Sequence, residues 1–221
     1  MSQTPKQAAH KPPIISGGES RYRLIEESFA SNEECRRLLE FADEYAEAGD
    51  GYGGNAHPHS PHETFAGYAF DGRPRPDVAP GHMLGLEVIQ RTRKFLKRHY
   101  GVPFLWLDFG HLVVREADGQ DTVEELSHPW HFDDRAEHVK HRTHTAILYL
   151  NDEFEGGLTC FKEADFGPYR EIRPQPGLLV SFKAADNAHA VSKVKYGRRY
   201  VFNMWFSTRW QIWRRQRKIL K

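Results

Sequence analysis

The stretch SHPWHFDD (residues 127–134) sets two histidines and two aspartates around a tryptophan within eight positions. If it lies on a strand, the two-residue period puts His131 and Asp133 on one face, where both can bind one ion. Two ligands hold a transition metal poorly, so this reading requires a third. His189, in DNAHAV (186–191), opens a later apolar run and is the candidate. Two imidazoles and one carboxylate leave three adjacent positions open on an octahedral ion, which suits non-haem Fe(II) binding an organic co-substrate and O₂ together. A lone His-x-Asp pair carries little weight, because such pairs also arise by chance in polar loops.

The surrounding texture sets the fold expectation. FLWLDFGHLVVRE, HTAILYLN, GLTCF, GLLVSF, HAVSKV and RRYVFNMWFS are rich in β-branched and aromatic residues, and turn formers separate them. Short strands at this spacing predict an antiparallel sandwich or barrel. Upstream, YRLIEESFA (22–30) reads as a short strand. Ser31 then opens a helix, with Glu34 completing a capping box. Leu38, Leu39, Phe41, Ala42 and Tyr45 give that helix one apolar stripe, and Gly49 follows as a stop. A loop dense in Gly, Pro and His follows (GDGYGGNAHPHSPHETF, 49–65). A second helix is expected from Gly81 to Tyr100, with Leu84, Val88, Thr92, Phe95 and Leu96 on one face, ended by Gly101 and Pro103. The fold class is mainly β with flanking α, two N-terminal helices supporting the strands.

A chain of 221 residues with 13% aromatics can build one sizeable core. The organisation expected is a disordered tail (1–20), one domain (21–210) and a basic C-terminal tail (211–221) whose charges read as a solvated helix face. The formal net charge of +1 gives no global field for nucleic acid or an anionic membrane. No apolar run approaches the roughly 20 residues that span a bilayer. The N-terminus lacks the apolar stretch of a secretory signal, and Cys35 and Cys160 show no spacing that suggests a staple. A reducing, cytoplasmic location is the expectation.

Two further residues sharpen the metal reading. Arg199 enters the apolar strand RYVFNMWF ten residues after His189. A guanidinium there is costly unless it meets an anion, and its planar fork matches a carboxylate. Tyr149, in AILYLN, can give its hydroxyl to the same anion or can be an ordinary core tyrosine. Softer candidates for a substrate cleft are Tyr52, His57 and His59 in the Gly/Pro-rich loop, which could close over the site. Trp205 shares a face with Arg199 and could wall the pocket. Arg115 in LVVRE could touch substrate or sit in a buried salt bridge. Trp130 alternates away from His131, so core packing is an equal reading.

The order His-x-Asp, YLN, GG, a second His followed by Val, and GRRY ending in WF resembles the Fe(II)/2-oxoglutarate-dependent dioxygenases. Within them the chain is most similar to the prolyl hydroxylase branch, in particular the catalytic domain of leprecan-type prolyl 3-hydroxylases. GDGYGGNAHPHSPHETFAG, FGHLVVRE, SHPWHFDD, AILYLNDEFEGG and NAHAVSKVKYGRRY carry the likeness, which spans roughly residues 33–208. The resemblance implies a double-stranded β-helix, a cupin-like jelly-roll barrel with the metal inside one mouth. It implies His131, Asp133 and His189 as iron ligands, with Arg199 and Tyr149 on the distal carboxylate of 2-oxoglutarate. Arg198 is the neighbouring alternative, which strand alternation turns the other way. It further implies Fe(II), 2-oxoglutarate and O₂, with ascorbate as reductant, and hydroxylation of a peptidyl-proline or a small proline-like molecule. Related halogenases lack the carboxylate at the position of Asp133, so its presence favours hydroxylation.

The collagen-modifying members work in the secretory pathway with a signal sequence and a C-terminal retention tetrapeptide; this sequence ends RKILK and shows neither. Collagen is therefore not the expected substrate. Other readings are a hydroxylase of a free amino acid or small natural product, and a non-catalytic jelly-roll binding module. A Zn²⁺ hydrolase would give no role to Arg199 and Tyr149. A nucleic-acid demethylase would be expected to show a basic aromatic face.

Overall fold

The computed structural model describes residues 23–49, 63–75, 78, 80–117, 119, 126–163 and 169–212. The strands are β1 (Arg23–Glu26), β2 (Glu47–Ala48), β3 (Glu63–Phe70), β4 (Trp106–Ala117), β5 (Leu126–His131) and β6 (His144–Tyr149). They continue with β7 (Phe154–Gly156), β8 (Thr159–Lys162), β9 (Tyr169–Ile172), β10 (Leu179–Lys183), β11 (His189–Ser192) and β12 (Val194–Ser207). Helix α1 (Asn32–Tyr45) follows β1, and α2 (Pro80–Tyr100) follows β3.

The strands form two antiparallel sheets. The larger runs β1-β10-β6-β12-β4-β3-β2, with β7 paired to β12; the smaller runs β5-β11-β8-β9. No hydrogen-bonded ladder joins them among the described residues, so the expected jelly roll is present as two facing sheets and the expected closed barrel is not. Apolar side chains, not backbone bonds, hold the sheets together. Val113, Ile147, Tyr149, Val180, Phe182 and Val201 from the larger sheet pack on Phe161 and Ile172 from the smaller.

The intervening residues on the same strands face the other way. Leu112, Val114, Ala146, Leu148, Phe202, Met204 and Phe206 meet Leu38, Phe41 and Ala42 of α1 and Leu84, Val88, Ile89 and Leu96 of α2. The central strands are thus buried on both sides, which is why they read as continuous apolar runs rather than alternating ones. The Ser31 capping box forms as the sequence predicts: Glu34 N donates to Ser31 Oγ, and Ser31 N donates to Glu34 Oε2.

Two expectations change. The first strand ends at Glu26, because a turn follows in which Ser28 takes a φ of 55°. The segment ETFAGYAF, read partly as loop, is β3 and pairs with β4 from Glu63↔Ala117 to Phe70↔Gly110. Its alanines and glycine carry little β-propensity, and the ladder to β4 decides its conformation.

Helix α2 approaches the sheet closely through a glycine. A Cβ on Gly85 would stand 2.4 Å from Phe70 Cε1, and Phe70 is wholly buried. Gly85→Ala gains about 1 kcal/mol of helix propensity, but overpacking costs about 1–3 kcal/mol. The clash should win because the ring has nowhere to move. With a net loss of up to about 2 kcal/mol, the variant is expected to melt up to about 8 °C below the parent, at about 2–4 °C per kcal/mol for a chain of this size. An unchanged or raised Tm in a thermal scan would show that the helix shifts freely.

Candidate metal and co-substrate site

His131 is the last residue of β5, and His189 is the first of β11; the two are register partners across that ladder. Asp133 lies beyond the strand, in the turn that follows Phe132. The structure brings His131 and Asp133 together, but not by sharing one face of a strand as the spacing argument expects. The chain leaves the sheet after His131, and the turn, not the pleat, brings the carboxylate back.

One nitrogen of each imidazole and one oxygen of Asp133 lie within 4.8 Å of one another. Asp133 Oδ1 is 3.6 Å from His131 Nε2, and Oδ2 is 3.8 Å from His189 Nε2. Backbone carbonyls orient both rings: His131 Nδ1 lies 2.8 Å from Pro129 O, and His189 Nδ1 lies 3.1 Å from Asn187 O. A carbonyl only accepts, so each Nδ1 carries the proton and each Nε2 lone pair turns to the common centre. Phe161 and Phe182 flank the His189 ring. Burial lowers the His189 pKa against the opposing pull of Asp133, which favours the neutral imidazole that a metal requires. Burial alone would raise the Asp133 pKa, yet His189, His131 and the Thr145 hydroxyl together hold its carboxyl well below the usual carboxylate range. Two Nε2 atoms and a carboxylate oxygen are a donor set that fits a divalent transition metal.

A second polar group lies deeper between the sheets. Arg199 is 2% exposed; its Nε donates to Gly157 O at 2.7 Å, and its Nη2 reaches Thr159 Oγ1 at 3.3 Å. Tyr149 donates its hydroxyl to the same Thr159 Oγ1 at 2.7 Å. Burial raises the Tyr149 pKa, so it remains a phenol and a donor. Thr159 thus accepts two hydrogen bonds and has its own proton left to give. A guanidinium, a phenol and a hydroxyl with a free proton form a pocket that asks for an anion.

The remaining expectations divide. Arg198 points outward, to Asp43 at 2.8 Å, as strand alternation requires. Arg115 is 4% exposed and is the register partner of Arg199; it donates to Ser127 Oγ at 2.8 Å and lies over the Phe65 ring. Trp205 is the register partner of Thr145, so it faces the site, stacked between Phe109 and the Arg142 guanidinium. Trp130 faces away from the site, against Tyr169 and under Lys162, near the surface. Tyr52, His57 and His59 lie outside the described residues.

Sequence reasoning missed Thr159, Gly157 and Thr145. Period two from Tyr149 reaches Thr145 along HTAILY, so the signal for Thr145 was present. Nothing in GGLTCF marks Thr159 as polar for a purpose.

Two facing antiparallel sheets thus carry a two-histidine, one-carboxylate cluster and a buried arginine. Residues 122–207 match the family described as the 2OG-Fe(II) oxygenase superfamily. Among curated relatives, prolyl 3-hydroxylase 2 of Rattus norvegicus is 30% identical over 210 residues, covering 84% of this chain and 29% of its own length. Prolyl 3-hydroxylase 1 of the same organism is 30% identical over 217 residues, covering 88% of this chain and 29% of its own length. The chain thus spans less than a third of the relatives it matches. The fold is shared with a Pseudomonas putida prolyl-4-hydroxylase (TM-score 0.60, 19% identity, 85% of this chain and 92% of that one). It is also shared with the viral collagen prolyl hydroxylase of Paramecium Bursaria Chlorella virus-1 (TM-score 0.58, 21% identity, 84% and 95%).

Proposed function

We propose that this chain is an Fe(II)- and 2-oxoglutarate-dependent hydroxylase of prolyl residues, similar in reaction to the prolyl 3-hydroxylases. The observation that carries the reading is the pairing of two sites formed where the two sheets face each other: the His131–Asp133–His189 cluster and the anion pocket of Arg199, Tyr149 and Thr159. A binding module needs neither to keep both.

His131 Nε2, His189 Nε2 and one oxygen of Asp133 would hold the iron. Arg199, Tyr149 and Thr159 would hold the distal carboxylate of 2-oxoglutarate, aiming its keto acid end at the cluster. With iron, 2-oxoglutarate and O₂ bound, the chemistry supplied is oxidative decarboxylation to succinate coupled to C–H hydroxylation. The protein's part is orientation and exclusion of water. Val113, Ile147 and Val201 lie on the inner face of the larger sheet, with Asn203 and His111 in register beside Ile147. Trp205 offers a flat wall for a pyrrolidine ring, and its buried Nε1–H has no hydrogen-bond partner among the described residues. Peptidyl-proline as substrate is supported by the prolyl 3-hydroxylase relatives. Ascorbate as reductant belongs to the same proposal. So does a cytoplasmic location, which two buried free thiols support.

The test is succinate formation from 2-oxoglutarate with Fe(II), ascorbate and O₂, offering proline-containing peptides and free L-proline. Stimulation by peptides, with one oxygen gained on a prolyl residue by mass spectrometry, is the expected result. Stimulation by the free amino acid alone would move the substrate to the small-molecule class. Absence of turnover with metal binding intact would replace the enzyme with a binding module.

A further inference from the structure

Thr145 sits on β6, 2% exposed, and its Oγ1 donates to Asp133 Oδ2 at 2.5 Å. The bond joins the larger sheet to a turn that belongs to no sheet. Its own strand is fixed from both sides, by β10 at Phe182↔Thr145 and by β12 at Trp205↔Thr145. Ser181 Oγ adds a bond to the Thr145 carbonyl at 2.7 Å. The donor is therefore rigid, while the acceptor is carried by a turn just beyond the end of β5.

We infer that Thr145 is a positioning residue for the metal: it turns the Asp133 carboxylate so that Oδ1, not Oδ2, is the ligand oxygen. A carboxylate oxygen bound by a short hydrogen bond is a poorer metal ligand than its free twin. Each oxygen lies beside one ring, Oδ1 3.6 Å from His131 Nε2 and Oδ2 3.8 Å from His189 Nε2, so the Thr145 bond to Oδ2 is what sets the two apart. Thr145 thus selects one-oxygen coordination and leaves more of the ion's open side for the co-substrate. The inference rests on the metal reading of the cluster.

The experiment titrates the full chain with Co(II), whose visible ligand-field absorption reports affinity and ligand geometry without turnover. Thr145→Val keeps the shape and removes the donor. It is expected to bind Co(II) roughly 10–100-fold more weakly, the range seen when a ligand's outer partner is lost, with an altered spectrum. Thr145→Ser keeps the hydroxyl and should restore both. If the valine variant does not fold, as judged by circular dichroism, Thr145→Ala removes the donor without adding bulk and is read the same way. Parental affinity and spectrum in the donor-less variant would overturn the inference, as would a serine variant as weak as valine. Failure of the parent protein to bind Co(II) would instead overturn the metal reading itself.

Discussion

Asp133→Ala is expected to abolish 2-oxoglutarate turnover while the protein remains folded. Asp133 is the one anionic member of the cluster, and its oxygens lie 3.6 and 3.8 Å from the two Nε2 atoms. Without it, two neutral imidazoles face a divalent ion with no charge to offset its desolvation. The loss should exceed the roughly 10–100-fold that follows removal of an outer partner, taking succinate formation below detection. Added iron should not restore it. The apolar contacts between the sheets do not involve Asp133, so the melting curve should stay cooperative. Succinate release at the parental rate would remove Asp133 from the metal site.

The second large effect is at Arg199. Arg199→Gln is expected to raise the KM for 2-oxoglutarate far more than it lowers kcat. Removing one partner of a buried ion pair costs roughly 3–5 kcal/mol, which is on the order of 10²- to 10⁴-fold in affinity. Lysine should not rescue the loss, because Nε and Nη2 of the fork address Gly157 O and Thr159 Oγ1 in one plane. A 2-oxo acid without a distal carboxylate, such as 2-oxobutyrate, is the control. Parent and variant should use it equally poorly. Steady-state kinetics with both acids decides the matter: an equal loss with both would mean that Arg199 supports the fold and not the co-substrate.

The parts of this site that were legible in the sequence are those whose chemistry is unusual for their place. A charged Arg199 in RYVFNMWF and a His-x-Asp pair in SHPWHFDD stand out from an apolar background. Thr145 and Thr159 do not, because a threonine on a strand is ordinary. Their roles appear only when β6 meets the turn after β5, and β8 meets β6 and β12 across the two sheets. The same limit applies to the fold. The capping box at Ser31 and the stripe of α1 are local and read correctly. Strand β3 draws its conformation from a ladder to β4, over 40 residues away in sequence. The position of Asp133 shows the difference most clearly: its identity was readable, but the turn that brings it beside His131 was not. Whether the sheets close into a barrel is set by long-range pairing that no local pattern carries.

The central claim is that one Fe(II) and one 2-oxoglutarate share the inner face of the two sheets. The most direct measurement is an anaerobic titration of the Fe(II)-loaded protein with 2-oxoglutarate, following the visible charge-transfer band of an iron-chelated 2-oxo acid. The account predicts a band that saturates at one equivalent, is absent from Asp133→Ala, and requires far more 2-oxoglutarate in Arg199→Gln. No band in the parent protein, or an unchanged band in Asp133→Ala, would contradict it.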